Sequence, residues 1–231
     1  MNFKYHKQMS DSFLTATFLS LSGGLQDVYT YIFRGKVFAN AQTGNIVLLS
    51  QCVIERNWSE AIHYFVPLTF FALGIAVAES IHIRFQLVQR IHWRQLILIL
   101  EILLLLIVGF LPVQYNMLAN AMVSFACAMQ VQSFRKVNGY AFASTMCIGN
   151  IRSGTEALCT FIRTRNINTL RKSFCYWGII LTFAIGAGIG GFCIPRFGMR
   201  TIWISCILLF IGFLFMFIKE EQENHAEPLT L

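Results

Sequence analysis

Two acidic residues stand inside otherwise apolar runs: Asp27 in Leu-Gln-Asp-Val-Tyr, and Glu101 in Leu-Ile-Leu-Ile-Leu-Glu-Ile-Leu-Leu-Leu-Leu. A carboxylate set into hydrocarbon costs about 2.5–3.5 kcal/mol even on a forgiving insertion scale, so such a group faces a cavity or a partner. Two readings of Asp27 stand: a protonatable or cation-binding carboxylate, or an interfacial one paired with Arg34 or Lys36. For Glu101 the choice is between a proton relay and a snorkelling or cross-bundle hydrogen-bonding group. Gln26 and Gln130 belong to the same short list as hydrogen bonders near the middle of a bundle. Glu79, close to His82 and Arg84, reads as interfacial.

A second constellation is polar but uncharged. Thr43-Gly44-Asn45 precedes nine mostly apolar residues ending at Ile54, which as a helix rise only about 13 Å, half a membrane. A re-entrant loop returning as this half-helix aims unpaired N–H groups and a positive dipole at the midplane. Thr43 or Asn45 would cap it, and Gly44 would allow close approach. The alternative is an ordinary polar helix start or a close helix crossing. Either way the motif lies off the lipid face, because polar backbone at that depth needs protein or water around it. Gly149-Asn150 repeats the pattern, followed by Arg152 and Glu156 at ion-pair spacing on one helix face.

The elements that must hold these groups follow from composition. Of 231 residues, 56% are hydrophobic and only 13% charged, against about 25% charged in an ordinary soluble domain. The apolar residues come in long blocks, so the chain reads as an all-α polytopic membrane protein in contact with the lipid bilayer. The net charge of +7 does not indicate a nucleic-acid partner, because Lys and Arg punctuate the apolar blocks and form no patch. Seven cysteines fall singly, with no CxxC and no His at ligand spacing, which supports no disulfide framework, metal site or cofactor. HExxH and GxSxG are absent, and the chain is not read as an enzyme. Lys4 and Lys7 precede an apolar run without a cleavage pattern, so that run is expected to remain as a span.

Six stretches suffice to cross a bilayer: Phe13–Phe33, Ala61–Ile81, Gln95–Leu111, Met117–Phe134, Ser173–Ile194 and Thr201–Ile218. Val37–Ile54 and Val137–Ile151 are ambiguous, which leaves an alternative of eight spans. Pro112 marks a tight hairpin turn. With six spans and both termini cytoplasmic, thirteen Lys and Arg lie inside against five outside; with eight, the split is eight to ten. The positive-inside tendency favours six.

The chain also repeats itself. Gln26, Gly35, Phe38 and Ala39 recur 104 residues later as Gln130, Gly139, Phe142 and Ala143, and Gly44-Asn45-Ile46 recurs as Gly149-Asn150-Ile151. After an insertion near Arg163 to Lys172, Phe71, Gly74, Arg84 and Phe85 match Phe183, Gly186, Arg196 and Phe197 at a spacing of 112. The expected organisation is a single membrane domain over residues 1–231, with halves at about 12–112 and 116–219 and a polar cytoplasmic tail at 220–231. Three spans per half make the repeat inverted, an arrangement recurrent in secondary transporters. Small-residue stripes at Ala72, Gly74, Ala76 and Ala78, and at Gly186, Gly188, Gly190 and Gly191, serve packing. Those two spans are expected to cross each other or to face equivalent neighbours.

Gly24-Leu25-Gln26-Asp27, Gly35-Lys36-Val37-Phe38 and Thr43-Gly44-Asn45 resemble the amino-terminal signature of the YoaK-like family of uncharacterised bacterial inner-membrane proteins. The resemblance extends over most of the chain and implies about six spans and an inner-membrane location, with no activity attached. The second half departs from the pattern: Val131 follows Gln130, and the motif reads Ile148-Gly149-Asn150. The function expected from the residues is a small-solute or ion transporter. The alternative is a non-transporting assembly or lipid-interacting scaffold. Neither substrate nor oligomeric state is legible.

Overall fold

Ser12 opens the first helix by accepting the Thr15 N–H at 3.3 Å, which satisfies one of the orphan donors at a helix start. The computed structural model describes residues 12–85, 93–137, 140–142 and 144–225. Helix α1 (Phe13–Phe33) ends where Gly35 takes a φ of 97° and the Lys36 N–H closes back onto the Tyr31 carbonyl at 3.0 Å. Such a left-handed turn is cheap only for glycine. Then follow α2 (Gln42–Ile54), α3 (Trp58–Phe85), α4 (Trp93–Val108), a short 3-10 turn (Val113–Tyr115) after Pro112, and α5 (Asn116–Ser133). The second part of the chain holds a two-residue hairpin, β1 (Lys136–Val137) against β2 (Tyr140–Ala141), then α6 (Cys147–Thr164), α7 (Ile167–Phe197), a 3-10 turn (Gly198–Thr201) and α8 (Ile202–His225).

The fold is all-α apart from that hairpin, and each of the six predicted spans falls mainly on one helix, although α4 has 16 residues and ends at Val108, short of Leu111. The ambiguous stretches resolve into a loop followed by α2, and into the hairpin followed by α6. Near Arg163 to Lys172, where the second half carries its insertion, α6 runs to Thr164, Arg165 takes a left-handed φ of 53°, and Asn166 caps α7. The polar tail is helical to His225; residues 226–231, like Lys4, Lys7, Arg90, Gly139 and Ala143, lie outside the described residues.

Hydropathy is distributed as lipid solvent requires. Ile54, Phe110 and Ile148 are 82%, 70% and 85% exposed, whereas Ser20, Ser22, Gln26, Glu101 and Asn120 are fully buried. Apolar side chains outside and polar ones inside invert the arrangement that water favours. Trp58–Phe85 and the stretch Ile167–Met216 are long and apolar enough to cross a membrane by length and composition. At 1.5 Å per residue α3 and α7 exceed the ~30 Å hydrocarbon thickness, so a crossing helix of this length tilts or projects.

Packing pairs α1 with α7 and α8, and α5 with α3 and α4; α2 lies on α3, α6 on α7, and α4 on α8. The small-residue stripes do not meet each other. Gly186 of α7 lies against the Leu21 carbonyl of α1, and Gly74 of α3 lies against the Phe125 carbonyl of α5, each so close that a Cβ would strike backbone. Gly24 meets the Phe183 carbonyl in the same way. Lipid offers no hydrophobic drive between helices, so close backbone approach supplies the packing.

Candidate functional site

The chain after α1 turns back toward the bundle. The Asn40 side chain donates to the Gly23 carbonyl at 3.2 Å, halfway along α1, and the Asn40 main-chain N–H donates to Asp27 Oδ1 at 2.7 Å. Asp27 therefore holds, by its backbone, the loop that leads into α2, two residues before that helix begins. It makes no ion pair with Arg34 or Lys36: Arg34 turns elsewhere, and the Lys36 ammonium sits 4.8 Å over the Tyr31 ring.

The Thr43-Gly44-Asn45 segment works differently from the expected cap. Ala41 stands at the N-cap of α2 with no side-chain hydrogen bond. Thr43 is exposed, and Gly44 packs under the Phe38 ring. Asn45 is buried and brackets the loop, accepting from the Phe38 N–H at 3.0 Å and donating to the Phe38 carbonyl at 2.7 Å. Its role is to close the descending loop, which in turn presents Asn40 to Asp27.

Glu101 points into the bundle from α4 and is fully buried, which removes the snorkelling reading. Gln26 donates to Glu101 Oε1 at 3.2 Å and to Ser22 Oγ at 2.8 Å, while the Cys127 thiol of α5 donates to Gln26 Oε1. One amide thus joins α1, α4 and α5. Gln130, one residue N-terminal to Val131, donates to Ser144 Oγ at 2.8 Å and reaches the Leu19 carbonyl at 3.4 Å. Several buried oxygens around this centre have no protein partner, namely Glu101 Oε2, Asn40 Oδ1, Gln130 Oε1, Ser20 Oγ, Ser124 Oγ and Thr145 Oγ1. A buried polar atom left unpaired costs about 1–3 kcal/mol, so a cluster of them marks a place arranged for something other than packing.

The loop before α6 reaches the same level of α1, with Thr145 packed on Gly23. The equivalent polar motif is split: Gly149 faces open space, whereas Asn150 is buried. Arg152 and Glu156 are both exposed, and the ion pairs among the described residues do not include them. Glu79, read as interfacial, lies 3.9 Å from His82 Nδ1 and pairs with Arg135 at 3.3 Å. The structure therefore gathers Gln26, Asp27, Glu101 and Gln130 with Asn40 and Cys127. Thr43, Gly149, Arg152 and Glu156 stay outside that cluster.

Sequence reasoning missed Arg34, which is fully buried at the end of α1. Its guanidinium donates to the carbonyls of Val108 (2.9 Å), Leu111 (2.8 Å) and Pro112 (3.5 Å), to Asn116 Oδ1 (3.1 Å), and through Nε to Tyr29 Oη (2.9 Å). It closes the carboxyl end of α4, where orphan carbonyls and the negative end of the dipole attract a cation. The available signal was position: Arg34 follows the last residue of a span directly.

A comparison with curated proteins finds the UPF0700 transmembrane protein YoaK of Bacillus subtilis (strain 168), 24% identical over 201 residues that cover 83% of this chain and 88% of that protein. No solved structure matches. A family described as "Protein of unknown function (DUF1275)" matches residues 15–215. With nearly its whole apolar bundle inside that match, and a transmembrane relative aligned across most of both lengths, the chain belongs to the DUF1275 family.

Proposed function

We propose that the chain is a small-solute or ion transporter of the bacterial inner membrane, with six spans in two halves of opposite orientation and both termini cytoplasmic. The observation that carries the reading is the enclosed pair Asp27 and Glu101, linked through neighbouring Gln26 and surrounded by unpartnered polar oxygens inside an apolar bundle. Carboxyl groups at that depth in hydrocarbon serve ion and proton pathways more often than structure. Support for the two-half organisation comes from reciprocal packing. Leu21 and Phe125 are 104 residues apart, Gly74 and Gly186 are 112 apart, and these pairs make exchanged contacts, Gly186 with Leu21 and Gly74 with Phe125. The loops before α2 and α6 meeting near Gly23 favour re-entrant segments at a midplane site.

In this reading the Asp27 bond to the Asn40 N–H is the coupling element. A proton or cation arriving at the carboxyl weakens its hold on the descending loop, and the loop with α2 then moves relative to α1. Glu101 holds the second exchangeable position, with Gln26 orienting it. The test is transport by the full chain in proteoliposomes loaded with a pH-sensitive dye, screened against cations and small polar solutes. Asp27→Asn and Glu101→Gln are expected to insert normally and to lose substrate-dependent proton movement by at least tenfold. Retention of full ion-dependent flux in both variants overturns the reading.

A further inference from the structure

Where α7 gives way to α8, the molecule has a second feature, unrelated to the buried acids. The turn after α7 and the turn after α4 enclose a cleft of about 450 Å³. Its wall is apolar, with Phe33, Pro112, Val113 and Phe197, and Arg196 and Arg200 stand at its rim. Both arginines are exposed, and neither meets a carboxylate among the described residues. Both are also oriented: the Arg196 guanidinium stacks 4.0 Å from the Phe192 ring centroid and donates to the Phe192 carbonyl at 3.3 Å, and Arg200 lies 5.8 Å over Trp203.

The cleft is a built feature and not a chance gap between loops. Arg34 binds the Leu111 and Pro112 carbonyls of one wall directly. Through Nε it also binds Tyr29 Oη, and the Tyr29 hydroxyl donates to the Met199 carbonyl of the other wall at 3.0 Å. One buried guanidinium thereby fixes the distance between two turns far apart in sequence.

We propose that this cleft binds an anionic phospholipid, with Arg196 and Arg200 on its phosphate and its acyl chains along the outer face of α7. Two guanidinium forks match phosphate oxygens, and their unpaired charge calls for an anion. The apolar wall gives a free phosphate nothing to bury against but suits an amphiphile. The exposed Ile185, Ile189 and Phe192, at spacings of four and three residues, continue that wall along one face of α7. The position at helix ends is the level at which headgroups lie.

The test uses the purified full chain in neutral detergent, titrated with phosphatidylglycerol, phosphatidylcholine or inorganic phosphate, and followed by native mass spectrometry and thermal unfolding. Phosphatidylglycerol is expected to remain bound and to raise the unfolding temperature, while phosphatidylcholine and inorganic phosphate do neither. Arg196→Gln and Arg200→Gln are each expected to weaken phosphatidylglycerol binding roughly fivefold. The corresponding lysine variants keep the charge and most of the binding, and Arg163→Gln with Arg171→Gln, on the α6–α7 junction, leaves it unchanged. Undiminished binding in the double glutamine variant, or equal retention of phosphatidylcholine, overturns the proposal. An equal response to inorganic phosphate overturns the lipid assignment.

Discussion

A buried guanidinium must have its donors matched one by one, and Arg34 meets five oxygens, three of them carbonyls at the end of α4. Replacing it by an apolar side chain of similar length strands those acceptors and cuts the link from Tyr29 to both turns. Each stranded buried acceptor costs about 1–3 kcal/mol. Arg34→Met is therefore expected to lower stability by about 3 kcal/mol or more, read as a fall in thermal midpoint in detergent, whereas Lys36→Met, which removes a cation stacked on Tyr31, changes it little. The acids were legible in sequence because a carboxylate amid leucines has an evident cost. Arg34 was not, because a cation directly after a span reads as a loop charge until the chain beyond it is seen to fold over it.

Between the residues and the bundle lie helix crossings that admit no side chain. A Cβ at Gly186 strikes the Leu21 backbone, while Gly188, two residues on, has nothing near it. Gly186→Ala is expected to force α1 and α7 apart and to destabilise the fold by about 1–3 kcal/mol. Gly188→Ala relieves backbone entropy without a clash and is expected to be neutral or stabilising by up to about 1 kcal/mol. Thermal unfolding of the two variants side by side checks the contrast. The sequence showed stripes of small residues but not which glycine in a stripe touches a partner, since that depends on the rotation of α7 against α1. In the same way the spacing of Thr43, Gly44 and Asn45 announced a polar helix start, yet no side chain caps the helix, and Asp27, from another element, holds the loop residue Asn40 just before it.

At the scale of the whole molecule the question is which ends of the helices share a side. Asn57 follows α2, and Asn168 opens α7. The proposed orientation places Asn57 outside and Asn168 in the cytoplasm. With the native cysteines replaced, Asn57→Cys is expected to react with an impermeant maleimide added to intact cells, and Asn168→Cys only after the membrane is opened. Labelling of both positions from one side excludes two inverted halves of three spans. The same molecule-wide view separates two chemistries: buried acids at mid-bundle, and exposed arginines where α7 meets α8.

Composition and the lengths of the apolar runs determined the solvent, the helical class and the approximate positions of six of the helices, because hydrocarbon accepts no backbone that is not hydrogen-bonded to itself. Those properties depend on each segment alone. Only the tertiary structure decided that Asp27 holds the loop before α2, that Gln26 reaches Glu101 across 75 residues, and that Arg34 joins two distant turns. These are pairings between segments, fixed by how far each helix rotates and where glycines let backbones meet, and no local pattern of residue types encodes them.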